Sequence, residues 1–213
     1  LKKLIFFSLI AAYSISFSQN KNMFHQGGRI IEYAASFDSD FSQRHQTQFL
    51  DSIFTFALNL SEGDVADALL FCSIGTIPYS EFEISIPLIN IPIKVFIFNI
   101  VHEDIFNQMI KNLPSKMFLD SPEGNFGDKD KVTHFFSSAY LSYAINKDFA
   151  NLIGHLVEHF EEGFKVQSAV DERDLAVNQL GIKFGSMLKD NLLYPSQIIS
   201  YERNLLYGKN SNN

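Results

Sequence analysis

Gly127–Tyr143 reads GDKDKVTHFFSSAYLSY, and its reading decides what kind of fold the chain takes. Asp130 and His134 stand four apart, so on a helix they share a face near its first turn, with Lys131 beside them. The stretch opens the first of three helices expected by pattern over about 129–146, 149–164 and 172–190.

On the second of these, His155, Glu158, His159 and Glu162 fall at i, i+3, i+4 and i+7, one face throughout. The third begins Asp171-Glu172-Arg173-Asp174, places Asn178 four residues beyond Asp174, and then spaces Gly181 and Gly185 four apart. Acidic residues there suit the positive end of a helix dipole, and Asp171 can serve as an N-cap. Glycine inside a helix costs up to about 1 kcal/mol relative to alanine, so two on one face point to close helix packing. Helices that turn these faces together must pair Asp130, His134, Glu158, Arg173, Asp174 and Asn178 among themselves, because unpaired buried charge costs several kcal/mol. Asp130, Lys131, His134, Glu158, Glu162, Arg173, Asp174 and Asn178 are therefore the candidate polar core or ligand site. No catalytic residue is singled out.

The segment Gly154–Gly163, GHLVEHFEEG, contains H-x-x-E-H, the zinc-binding order of the inverzincin peptidases. The short remainder of the chain leaves no room for that two-lobed scaffold, and a five-residue pattern is weak alone. No cofactor is expected. A divalent metal held by Asp130, His134 and Glu158 is the alternative, with the bound cation activating water and Glu162 or Asp174 as base.

Upstream, residues 19–42 are polar and weakly periodic, and read as an arm with a short helix at most. Phe49, Ile53, Phe56, Ala57 and Leu60 recur at helical spacing, giving an amphipathic helix over about 43–60. Ser61-Glu62-Gly63-Asp64 has the form of a capping box for a further helix running to about Ile74 and ended by Gly75 and Pro78. Residues 81–100 alternate β-branched positions around Pro87, Asn90 and Pro92, which reads as a hairpin confined to edges and turns. A helix over 102–112 stops before Pro114, and Asp120–Asp130, with Pro122, Gly124 and Gly127, reads as a loop. The fold class is thus mainly α, a helical bundle with a small β-hairpin.

Composition bounds the rest. With 213 residues and 46% hydrophobic content, the chain can bury one substantial core. Phe is frequent, at 22 residues, and Trp is absent, which indicates a Phe-packed core or else a surface for an apolar ligand. A net charge of -7 without a basic block argues against nucleic acid. Cys72 is the single cysteine, so no internal disulfide can form, and its apolar neighbours suggest a buried thiol. Lys2-Lys3, the apolar run Leu4–Tyr13 and small residues up to Ser18 form a signal-peptide pattern, with cleavage expected between Ser18 and Gln19. The apolar run is shorter than the roughly 20 residues that span a bilayer, although retention as an anchor is the other outcome.

The expected organisation is a signal peptide over 1–18, an N-terminal helical region with the hairpin over 19–126, a C-terminal helical region over 127–207 packed with it, and a tail over 208–213. The protein is expected to be periplasmic or secreted, with a cell-envelope component or small ligand as partner and peripheral membrane contact open.

GDKDKVTHFFSSAYLSY, a following helix bearing Glu158, and VDERDLAVNQLGIKFG over Val170–Gly185 together resemble bacterial envelope proteins of the VanZ-like and YfiM-like type. Those families share a D-K-x-x-H opening, a Glu on the next helix and a D-x-x-x-N-x-x-G close. The match falls on Asp130, Lys131, His134, Glu158, Asp174, Asn178 and Gly181. His155 and His159 do not belong to it, so the resemblance implies that H-x-x-E-H is accidental. VanZ-like proteins are membrane-embedded, whereas the helices here carry many charges; YfiM-like proteins are exported but usually lipid-anchored. The N-terminal half has no counterpart. The resemblance implies a helical envelope domain with a polar core site, in families of undefined biochemical activity.

Overall fold

A computed structural model of the chain describes residues 20–85, 92–96, 101–118, 120–154 and 172–200. The helical-bundle architecture holds. In chain order the elements are α1 (Asn20–Ala35), α2 (Ser39–Arg44), α3 (Gln46–Leu60), α4 (Val65–Gly75), β1 (Glu81–Ser85), β2 (Pro92–Phe96), α5 (Glu103–Asn112), α6 (Lys129–Ala144) and α7 (Glu172–Met187). Residues 147–154 and 195–200 are also helical. The signal-peptide pattern, the 86–91 connection, the 208–213 tail and residues 155–171 lie outside the described residues.

The middle of the bundle is α4. Its run Ala68–Gly75 carries only apolar or small side chains, and every one of these residues is buried. A helix apolar all round must be enclosed on all sides. Here α1, α3 and α6 enclose it, and α7 packs against α6. Phe54 of α3, Phe135 and Phe136 of α6 and Phe184 of α7 join these layers, with ring centroids 5.5 Å apart for Phe54–Phe184 and 5.3 Å for Phe135–Phe184. All four are fully buried, so phenylalanine does supply the centre of the core. Cys72 is buried there too, and burial pushes its thiol well above the ordinary value.

Two expectations for the N-terminal half need correction. The supposed arm contains a sixteen-residue helix, α1, with Ile30, Ile31 and Ala34 buried. Its Gly27 admits α4, since a methyl there would come 2.6 Å from Ile74 Cγ2. Nor does Ser61 open α4. Ser61 is the C-cap of α3, while the N-cap of α4 is Asp64, whose carboxylate accepts from the Asp67 amide at 2.9 Å. The Ser61 hydroxyl instead donates to the carbonyls of Leu58 and Asp64, and the connecting Glu62 takes φ 55°.

Strands β1 and β2 pair antiparallel, from Glu81 opposite Phe96 to Ser85 opposite Pro92. Pro92 thus sits at the first position of its strand, where a missing amide donor is tolerated. α5 is held by Asn112, which is fully buried. Its side-chain amide donates to the carbonyls of Ala34 and Phe37, each at 2.9 Å, and of Ala35 at 3.2 Å, and so caps the end of α1.

Candidate functional site

The site lies where α6 and α7 begin. Chain entry to α6 is fixed by Gly127, at φ 51°, where a methyl group would collide with the Ser115 carbonyl. The next residue, Asp128, is fully buried. Its Oδ2 accepts from the backbone amides of Met117 at 2.7 Å and Phe118 at 3.1 Å and from the Ser121 hydroxyl. Its Oδ1 accepts from Arg173 Nη2, and Arg173 Nε lies 3.3 Å from Asp120 Oδ2. One carboxylate therefore ties the loop after α5 to the start of α7. Charge-assisted contacts of this kind are the stronger class of hydrogen bond.

One turn further along α6, Lys131 is 2% exposed and its ammonium pairs with Asp174 Oδ1, a side chain fully buried at the start of α7. The same ammonium lies 3.4 Å from Asp130 Oδ2. His134 Nε2 approaches Asp174 Oδ1 to 3.7 Å, and its Nδ1 is 3.3 Å from Asn178 Oδ1. The Asn178 oxygen also accepts from the Ser138 hydroxyl at 2.9 Å. Beyond these polar contacts the helices close up: methyl groups on Gly181 and Gly185 would collide with the carbonyls of Phe135 and Ala139. Ser142 then donates to the Ile182 carbonyl at 2.8 Å.

The pairing order, Lys131 with Asp174, Ser138 with Asn178 and Ser142 with Ile182, advances in the same direction on both helices, so α6 and α7 run parallel. Their N-termini consequently lie at one end of the bundle. Asp130 and Asp174 each occupy a first helical turn there, where the two positive dipole ends favour negative charge. That field and the Lys131 ammonium together explain how a fully buried Asp174 is tolerated.

Three buried oxygens of the site, Asp130 Oδ1 and both of Asp174, accept no hydrogen bond, although Asp174 Oδ1 forms the ion pair with Lys131. Burial, the largest influence on Asp130, raises its carboxyl above the ordinary value; Lys131 opposes this shift and the neighbouring Asp174 adds to it. Burial likewise lowers Lys129, whose ammonium reaches the Lys111 carbonyl at 3.5 Å.

Of the residues expected at the site, Asp130, Lys131, His134, Asp174 and Asn178 converge, and Arg173 joins them through Asp128. Glu158 and Glu162, with His155 and His159 of the H-x-x-E-H pattern, lie outside the described residues. The helical run 147–154 does reach the cluster at its end, since a methyl on Gly154 would lie 3.4 Å from Asn178 Nδ2. Among the described residues no group of three or more His, Cys, Asp or Glu is arranged to hold a metal ion. Asp128, Asp120, Ser121 and Ser138 are members that sequence reasoning missed. Only Asp128 had a visible signal, its place three residues before Lys131 at a helix entry.

Chemically, the arrangement ties both ring nitrogens of His134 to partners from α7. Among the described residues no helix is long and apolar enough to cross a membrane. Comparison of the chain with protein-family models, curated proteins and solved structures finds no match.

Proposed function

We propose that this is an exported, cell-envelope-associated helical protein without catalytic activity, in which the Asp128/Lys131/His134/Asp174/Asn178 network fixes the parallel α6–α7 pair. The leading observation is the buried Lys131–Asp174 ion pair, flanked by Arg173–Asp128. Removing one partner of a buried pair costs roughly 3–5 kcal/mol, so such pairs make a register costly to leave. His134 contributes as a bridge between Asp174 and Asn178, an arrangement that orients the ring rather than leaving it open to a reacting group. The export reading rests on the basic, apolar and small-residue pattern of residues 1–18. The likeness to VanZ-like and YfiM-like proteins adds the envelope setting.

The competing reading is a metal-dependent hydrolase acting on an envelope component, with Asp130, His134 and Glu158 as ligands. The unpartnered Asp130 Oδ1 is the observation in its favour. Elemental analysis of protein purified without chelator, beside Glu158→Gln and His134→Ala, separates the two. The structural reading expects substoichiometric metal and a lowered melting temperature in His134→Ala. Near-stoichiometric metal lost in both variants would replace it with the hydrolase reading.

A further inference from the structure

A cavity of about 750 Å³ opens beside the polar core, between α7 and the helical run 147–154. Its size is that of small-molecule sites, which span roughly 300–1,000 Å³. Phe118, Val177, Leu180 and Ile199 give it an apolar lining. The charged groups around it are already committed. Arg173 holds Asp128 and Asp120, Lys183 is engaged within the protein, and Lys147 is exposed, where an ammonium keeps its water. Charge therefore gives an occupant little to be selected by. The neutral polar groups offer more. Asn151 and Gln179 both line the cavity, and Gln179 Nε2 donates to Asn151 Oδ1 at 2.6 Å. A side-chain amide carries two N–H donors and a carbonyl acceptor, so this bond leaves the Asn151 N–H groups and the Gln179 carbonyl to serve a guest.

We infer that this cavity binds a neutral molecule with an apolar body and a carbonyl beside an N–H, as in a carboxamide or a lactam. The apolar body lies between α7 and the 147–154 helix, the guest carbonyl accepts from Asn151 Nδ2, and the guest N–H donates to Gln179 Oε1. Each additional buried methylene should tighten binding about fourfold until the slot is full. An ester of the same length accepts but does not donate, and leaves the Gln179 carbonyl unserved. A charged head on the same chain must give up water without gaining a counter-ion in the cavity. Lys131, His134 and Asp174 do not line this cavity, so ligand binding here and the structural role of the polar core stand or fall separately.

The test is calorimetric titration of the full chain with hexanamide, heptanamide and octanamide, with methyl heptanoate as the matched ester, octanoate as the matched anion and octylammonium as the matched cation. Affinity is expected to rise about fourfold per methylene among the amides, and the ester and both ions are expected to bind about fivefold more weakly than octanamide or worse. Asn151→Leu/Gln179→Leu should bring amide and ester to within about twofold of each other while the dependence on chain length remains. Leu180→Gln, which sets a polar group in the apolar wall, should do the reverse, flattening the chain-length dependence and keeping the preference for the amide; it gives a second variant should the first fail to fold. Binding of none of these compounds, as when residues 201–213 of the chain itself fill the cavity, would overturn the inference. So would an ester or ion that binds as tightly as octanamide, affinity independent of chain length, or a folded double variant that keeps the amide preference.

Discussion

Gly185 faces the carbonyl of Ala139 so closely that a methyl group on its α-carbon would collide with it, and Gly181 stands in the same relation to Phe135. The parallel α6–α7 pair is therefore packed backbone to backbone at its centre. In an unpacked helix Gly→Ala would add up to about 1 kcal/mol of stability. Here Gly181→Ala and Gly185→Ala are expected to lose about 1–3 kcal/mol, as overpacked contacts do. Urea denaturation measures the sign, and a stabilised variant would mean that the helices separate without cost.

Asn112 organises the other side of the bundle, where its amide serves the carbonyls of Ala34, Ala35 and Phe37 and its oxygen accepts from Ser39 Oγ at 2.9 Å. Asn112→Ala strands these groups and should cost about 1–3 kcal/mol. Amide exchange over α1 and α2 should quicken more than over α7; a uniform change across the chain would speak against so local a role.

Asp128 is expected to be the more costly acid to lose. Asp128→Ala deprives Arg173 of its buried partner and frees the amides of Met117 and Phe118. A loss of roughly 3–5 kcal/mol is anticipated from the ion pair. Hydrogen exchange at those two amides gives a readout that a general loosening would not single out, and unchanged protection there would contradict the assignment.

Asp130 should behave in the opposite way. Burial raises its carboxyl above the ordinary value near 3.8 in the folded protein. Above that raised value the folded state bears the penalty of a buried charge, and as pH falls toward 3.8 the folded protein takes up the proton first and the penalty is lost. Stability attributable to Asp130 therefore decreases as pH rises through this window. Asp130→Asn is expected to be more stable than the parent at neutral pH, with the difference vanishing below pH 3.8. Melting temperatures across pH 3 to 8 test this, and an Asn variant that is less stable at neutral pH would show that the carboxylate's pairing with Lys131 outweighs its burial.

Much of the C-terminal half was legible because helical spacing gathers polar side chains on one face: Asp130 and His134 on α6, with Lys131 beside them, and Asp174 and Asn178 on α7. Two glycines on that same α7 face carried the sign of close packing. What pairs with what was less accessible. That α6 and α7 run parallel depends on the path of the chain between them, which periodicity does not encode. Asp128 escaped notice because two of its partners are backbone amides some ten residues upstream, and an amide has no sequence signature. α1 was obscured by Gly27, which costs helix propensity yet is needed where Ile74 packs against it. At Ser61 a capping-box pattern concealed a C-cap, because the side chain nearest the first free amides of α4 belongs to Asp64.

The most direct test of the polar core as a structural clamp is a double-mutant cycle on Lys131 and Asp174 by denaturant unfolding. Lys131→Met and Asp174→Ala should each cost about 3–5 kcal/mol, because each leaves the other charge buried. The double variant should lose far less than their sum, with a coupling of roughly 2 kcal/mol or more. Additive losses, agreeing within about 0.5 kcal/mol, would contradict the account and leave the ion pair a bystander in the packing of α6 on α7.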